Sequence, residues 1–555
     1  MTIRPGRPRR AATFAGRLLW RRPARAGFVT LVIVLGLFFP SAMANAGGYT
    51  TVDGSGSSWA YIAISQWIND VQPQGLTVNY NPNGSAEGRA NYIQGGQVDF
   101  AGSDPPFRNG KDQLAGTSAE KSPWGYSYVP DTAGGTAFMY HLTVGGHLVR
   151  NLRLSPKVLM EIFTGVITNW SDHRITQIYG AQLPNEPITP VLRSDGSGAS
   201  YFFTRWMAHM FPSQWNAFCK RVDSHVASPC GPTEFYPHFG NAKMETGSNN
   251  VANYITASYG EGAIGYDEYA YALNSNFPVV QLLNPDNYFV GPTASNVAVA
   301  LTKAVIDQDT SSPNFLQQDL DPVYTFKDPR AYPLSSYSYL IVPRSGTKEP
   351  PFFNSGAGRT LSAFVNYFLC NGQRQMADLG YSPLPFNLVK GGFEQLGKIP
   401  GHISTPSLSH YSSCGNPTFT GSHGRNELLD TAKFPSPCQK LGAPLNCVVK
   451  NGHAVAAGSG GSGGSSGGGS GAGAGSGGGA GSGSGSGVNP ATGAGSGTTG
   501  TTVGAANVTG SVVNLAGNGT DRALLAALTA IGVIGAVAIP PGVAAWRRRR
   551  KLPGT

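Results

Sequence analysis

The stretch VLRSDGSGASYFFTR at residues 191–205 joins an apolar pair to an arginine, an aspartate, a Gly-Ser-Gly step and a segment with helical spacing. Such a turn leaves unpaired backbone N–H groups at a helix start, where the helix dipole also favours an anion. Arg193 adds a planar fork suited to two oxygens of a tetrahedral oxyanion, and Asp195 is placed to hold that fork. Alone, the stretch favours the plainer reading, a surface turn with a capped helix. Two similar stretches upstream tip the balance: GSGSSW at 54–59 before a helical pattern at 62–71, and NGSAEG at 83–88 before another at 89–93. Three Gly/Ser turns, each between a strand-like run and a helical pattern, favour one shared anion site. None matches GxxxxGK[ST] or a dinucleotide fingerprint.

Asp104, in VDFAGSDPPF at 98–107, fits such a site only if the anion carries a proton. Phosphate keeps at least one hydroxyl near neutral pH, which an ionised carboxylate can accept. Sulfate has none, so a buried carboxylate among N–H donors penalises it. The bland alternative for Asp104 is a helix cap before Pro105. A hydrolase built on Ser197 is disfavoured: the order Asp195-Gly196-Ser197-Gly198 is not GxSxG, and no histidine is placed by sequence to activate the serine. No catalytic residue is assigned.

Outward from these turns, the composition from Gly47 to about Lys390 is that of an α/β body. Strand-like runs at 76–80, 98–101, 188–192 and 339–342 alternate with helical patterns. Ile62, Ile64, Trp67, Ile68 and Val71 fall mostly on one helical face, and 361–370 reads as another helix. The formal charge of +10 is misleading: residues 1–46 carry eight arginines and no acid, and residues 547–551 five more positive charges. Removing those thirteen from +10 leaves −3, so the body is mildly acidic and carries no nucleic-acid footprint.

The ends are of another kind. Arg21, Arg22 and Arg25 precede an apolar run at 26–39, and Ala44-Asn45-Ala46 fits a signal-peptidase site, so residues 1–46 read as an export signal. Residues 456–520 are Gly/Ser/Ala-rich and then Thr-rich, a flexible tether with a reach of about 40–45 Å. Residues 521–555 hold an uncharged apolar stretch followed by four arginines and a lysine, the pattern of a C-terminal transmembrane helix with a cytoplasmic tail. Between body and tether, residues 394–455 form a loop-rich appended segment with three cysteines. The six cysteines behind an export signal suggest disulfides, with about 15 pairings open. Sequence proximity favours Cys219–Cys230 and Cys438–Cys447, leaving Cys370–Cys414. With no CxxC or HxxxH, neither zinc nor any other metal or cofactor is expected.

The chain resembles the extracytoplasmic phosphate-binding proteins of ABC phosphate importers. The pieces that carry the resemblance are GSGSSW, NYNPNGSAEG (79–88), VDFAGSDPPF, IFTGVITNW (162–170), LRSDGSGASYFFT (192–204), GEGAIGYDEYAYA (260–272) and CNGQRQMADLGYSPLP (370–385). It implies a two-lobed α/β periplasmic-binding-protein fold of type II over 47–393, with phosphate held in the cleft. Lobe 1 is expected at about 47–130 and 270–393, and lobe 2 at about 131–269. It assigns phosphate contacts to Ser58, Trp59, Ser85, Asp104, Arg193, Ser197, Gly198 and Ala199, with Asp195 bracing the arginine. Ala199 stands where the family usually has Thr, which removes a donor unless Ser200 or another group replaces it. The implied partners are inorganic phosphate and the ABC permease subunits, with the membrane reached through the C-terminal helix. A surface sensing or interaction protein that keeps the fold without feeding a transporter is the alternative.

Overall fold

The computed structural model describes residues 48–407, 411, 413–419 and 425–457. The export signal expected at 1–46, the tether after residue 457 and the transmembrane helix expected at 521–555 lie outside the described residues. Among the described residues no helix is long and apolar enough to cross a membrane.

The chain starts with β1 (Val52–Gly56), crosses through α1 (Tyr61–Val71) to β2 (Val78–Asn81) and returns through α2 (Ser85–Gln94) to β3 (Phe100–Ser103). β1 pairs in parallel with both neighbours, a pairing that requires such crossovers. α1 buries Ala63, Ile64, Trp67 and Val71, the face its spacing predicts. Next come the long β4 (Tyr126–Tyr140), then β5 (Thr189–Arg193) leading into α3 (Gly198–Met210). β6 (Lys243–Glu245) leads into α4 (Gly247–Thr256), and β7 (Ala263–Glu268) and β8 (Ser335–Pro343) complete the main sheet. Its order is β2-β1-β3-β8-β4-β7-β5-β6.

The sheet is two half-sheets that share β4. Over 126–135 β4 pairs with β8, and over 136–140 it pairs on its other side with β7. Every residue of β8 is buried, as expected for a strand covered on both faces. α5 (Ser355–Leu369) and α6 (Phe386–Leu396) cover the first half. Behind the second half, Phe138, Phe163, Phe203, Tyr236 and Tyr266 pack ring against ring.

Three features lie across expected boundaries. The strand Gln281–Leu283, expected in lobe 1, pairs in parallel with Arg153–Leu154, expected in lobe 2. α6 runs across the 393/394 limit of the appended segment, because its buried stripe of Leu388, Val389, Phe393 and Leu396 has no break there. Ala456, expected to open the tether, ends the strand of a hairpin, Cys447–Lys450 with His453–Ala456. The three disulfides are Cys219–Cys230, Cys370–Cys414 and Cys438–Cys447, the pairing that proximity favours.

Candidate anion-binding site

The ends of β1, β3 and β5 and the starts of α2, α3 and α4 meet at one place between the half-sheets. Arg193, the last residue of β5, is 1% exposed. Its Nε donates to Asp195 Oδ1 at 2.8 Å and its Nη2 to Asp195 Oδ2. Nη2 also donates to Ser58 Oγ at 2.8 Å, and Nη1 to Ser248 Oγ at 3.2 Å. Burial alone would lower the pKa of the guanidinium, but Asp195, and less closely Asp267, hold it above its usual value. Asp195 is held the other way: burial would raise its carboxyl, and Arg193 together with the Gly247 N–H at 2.9 Å pulls it below the usual range. The pair is therefore ionised throughout the physiological range.

Asp104, just past β3 and 2% exposed, is the second acid of the site. It caps no helix. Ser57 Oγ donates to its Oδ1 at 2.7 Å and Ser338 Oγ to the same oxygen at 2.8 Å; Ser85 Oγ donates to Oδ2 at 3.2 Å. Burial pushes its pKa up, against the pull of the three serines and of Arg193.

Two glycines let these walls approach. At Gly198, the first residue of α3, a Cβ would come 2.1 Å from Asp104 Oδ2, so only glycine allows the helix start to lie against the carboxylate. At Gly84, before α2, φ is +101° and a Cβ would come 2.5 Å from Asp195 Oδ2. The Ala86 N–H donates across to Gly196 O at 3.0 Å, tying the start of α2 to the turn before α3.

All eight residues expected at the site lie on these three turns or beside Asp104, each buried. Ser58 and Trp59 form the turn before α1; the Ser58 carbonyl accepts from Tyr271 Oη, and the Trp59 carbonyl from Tyr381 Oη at 2.7 Å. Ser197 does not cap α3 with its side chain, and its N–H is used on Glu234 O at 3.0 Å. That leaves its hydroxyl, with the first-turn N–H groups of Gly198 and Ala199, as the donors at this wall. Ser200 does not replace the hydroxyl missing at Ala199: its Oγ is bonded to Tyr266 Oη at 2.7 Å, on the core side of the helix.

Ser248 and Ser338 are the residues that sequence reasoning missed. Ser248 Oγ sits 2.8 Å from Ser58 Oγ, and its N–H donates to Ser58 Oγ at 3.2 Å. It had a signal, because Thr246-Gly247-Ser248 is a fourth Gly/Ser turn that opens a helix, α4. Ser338 had none, since it stands inside a strand.

Deeper acids frame the site. Burial pushes Asp267 up to about 6 against the pull of Arg193, and pushes Asp131 and Glu268 well above the usual carboxylate range. Around the rim, Glu234 accepts from Arg89 Nη2 at 2.6 Å and Arg108 Nη1 at 2.8 Å, and Glu120 bridges the same two arginines.

Residues 41–371 match the PBP superfamily domain. The phosphate-binding protein PstS of Xylella fastidiosa (strain Temecula1) is 30% identical over 342 residues, covering 61% of this chain and 83% of that protein. The phosphate-binding protein PstS of Methanocaldococcus jannaschii is 26% identical over 353 residues, covering 62% and 85%. Among solved structures, a phosphate-binding protein from Stenotrophomonas maltophilia aligns with a TM-score of 0.40 at 17% identity, over 68% of this chain and 99% of that one. With the family domain spanning more than half of its length and a 30% identical relative matched over most of that relative, this chain belongs to the phosphate-binding-protein family of the PBP superfamily.

Proposed function

We propose that this chain captures inorganic phosphate outside the cell and delivers it to an ABC phosphate importer, without chemistry on the ligand. The observation that carries the reading is the meeting of opposite demands in one dry place. Arg193 and three helix starts supply donors for a dianion, while Asp104 supplies an acceptor for its proton. Phosphate satisfies both. Its bare oxygens take the Arg193 fork, the hydroxyls of Ser58 and Ser197, the Ser85 hydroxyl once it turns from Asp104 Oδ2, and the N–H groups around Ser58, Trp59, Gly198 and Ala199. Its hydroxyl is donated to Asp104. Sulfate would set a bare oxygen against a carboxylate.

Capture proceeds by closure of two lobes about β4, the strand common to both half-sheets. Lobe 1 is built on 47–130 and the later return; lobe 2 is built on 131–269 extended through the strand at 281–283. The apolar run at 521–555 anchors the protein at the extracytoplasmic face of the membrane, and the Gly/Ser-rich tether gives it reach; both rest on sequence composition.

Equilibrium dialysis against labelled phosphate tests the reading. The wild type is expected to bind one phosphate per chain. Arg193→Ala is expected to bind about 100- to 10,000-fold more weakly with an unchanged circular dichroism spectrum, because two charge-assisted bonds are lost. A folded variant with native affinity would remove Arg193 from the site.

A further inference from the structure

Asp104 has two oxygens, and the protein treats them differently. Oδ1 takes two hydroxyl protons, from Ser57 at 2.7 Å and from Ser338 at 2.8 Å. The Ser57 proton is committed to this bond, because Ser57 Oγ also accepts from the Ala60 N–H at 3.2 Å. Oδ2 takes one longer bond, from Ser85 at 3.2 Å, and is the oxygen that lies against the start of α3 at Gly198. The carboxylate is thus held more firmly at Oδ1 than at Oδ2. Ser338 comes from β8, far in sequence from every Gly/Ser turn, and is wholly buried.

The charged and titratable groups facing Asp104 are Arg193 from β5, Tyr80 from β2, Asp131 from β4 and Glu268 from the end of β7. Burial pushes Tyr80, Asp131 and Glu268 toward their protonated, neutral forms. Arg193 is then the one full charge that helps keep Asp104 ionised, and the serine hydroxyls supply the rest.

Resting on the phosphate-receptor reading above, we propose that Ser338 is a positioning residue that determines specificity. By saturating Oδ1 together with Ser57, it holds Asp104 as an ionised acceptor and presents Oδ2 to the proton of the bound phosphate. A protonated Asp104 would be a donor instead, and a donor welcomes sulfate. Ser338 therefore sets the pH down to which phosphate is told from sulfate, although it touches neither ion.

The test is calorimetric titration of the full chain with phosphate and with sulfate from pH 5 to pH 8. Wild type, Ser338→Ala and the near-isosteric Ser338→Cys, whose thiol is a weak donor, are compared at each pH. The phosphate-over-sulfate ratio of Ser338→Ala is expected to collapse about one pH unit higher than that of the wild type, the scale on which a hydrogen bond to a charged group acts. Its sulfate affinity should rise as the ratio falls. Ser338→Cys should move in the same direction by less, and it supplies the answer if Ser338→Ala does not fold. Profiles that superimpose on the wild type overturn the proposal, as does a uniform loss of phosphate affinity at every pH. A wild type with no preference for phosphate overturns the receptor reading itself and this proposal with it, whereas a wild type that discriminates beside variants that do so equally well overturns this proposal alone.

Discussion

Asp267, the last but one residue of β7, lies buried beneath the arginine of the site, with the Glu268 N–H on its Oδ1 at 2.8 Å. Its folded pKa of about 6 lies above the ordinary 3.8, so its contribution to stability is fully present below about pH 4 and is lost as pH rises through about 6. The loss is about 2 kcal/mol between pH 4 and pH 7. Asp267→Asn carries no such proton and should flatten the pH dependence of urea unfolding by about that amount over this range; an unchanged slope would contradict the assignment. Residues like this were not legible in the sequence. A buried acid with no partner of opposite charge at contact distance looks like any other Asp in YDEYAY until the sheet closes over it. Arg193, Asp195 and Asp104 were legible, because each stands beside a turn whose glycines announce a close approach.

At the scale of elements, the site is the point where helix starts of one half-sheet face those of the other. The same facing surfaces carry an ion-pair network that meets the expected site residues through the Glu234 carbonyl, which accepts from the Ser197 N–H at 3.0 Å. Arg89 in α2, 0% exposed, and Arg108 after β3 share Glu234, which follows α3. Removing one partner of such a buried network leaves charge uncompensated, typically at a cost of several kcal/mol. Under the closure proposed above, Glu234 meets Arg89 and Arg108 only when the lobes come together, so Glu234→Ala should weaken phosphate binding at least about 10-fold, mainly through faster release. Stopped-flow release kinetics would show it, and an unchanged release rate would refute the coupling. The helical spacing read in the sequence at α1 and α3 corresponds to their buried faces, Ile64, Trp67 and Val71 in one and Ala199, Phe202, Phe203 and Trp206 in the other. The partners of Glu234 were not legible, since 145 residues separate it from Arg89 and no local pattern encodes that distance.

For the whole molecule, the described body continues past the limit at residue 393 that composition suggested. Residues 397–457 hold onto the body by more than the Cys370–Cys414 disulfide. Asn416 Nδ2 and Thr418 Oγ1 both donate to Leu384 O, at 3.0 and 2.7 Å. Tyr411 stacks on Phe393 with ring centroids 4.7 Å apart, and Gln439 Nε2 donates to Phe289 O at 3.2 Å. A segment anchored through single side chains and backbone carbonyls has no hydrophobic period, which is why its sequence reads as loop. The family domain, in contrast, was legible through its turns, because each falls between a strand of the main sheet and a helix.

That ligand is the central claim, and its most direct test is a pair of calorimetric titrations, phosphate and sulfate, on the wild type and on Asp104→Asn at pH 7.5. The account predicts saturable phosphate binding to the wild type, with sulfate at least about 100-fold weaker, the scale of a desolvated oxygen facing a carboxylate. Asp104→Asn, whose amide can turn a donor toward either ion, should narrow that ratio severalfold or more. A wild type that takes both ions equally, or a variant that keeps the wild-type ratio, would contradict the account.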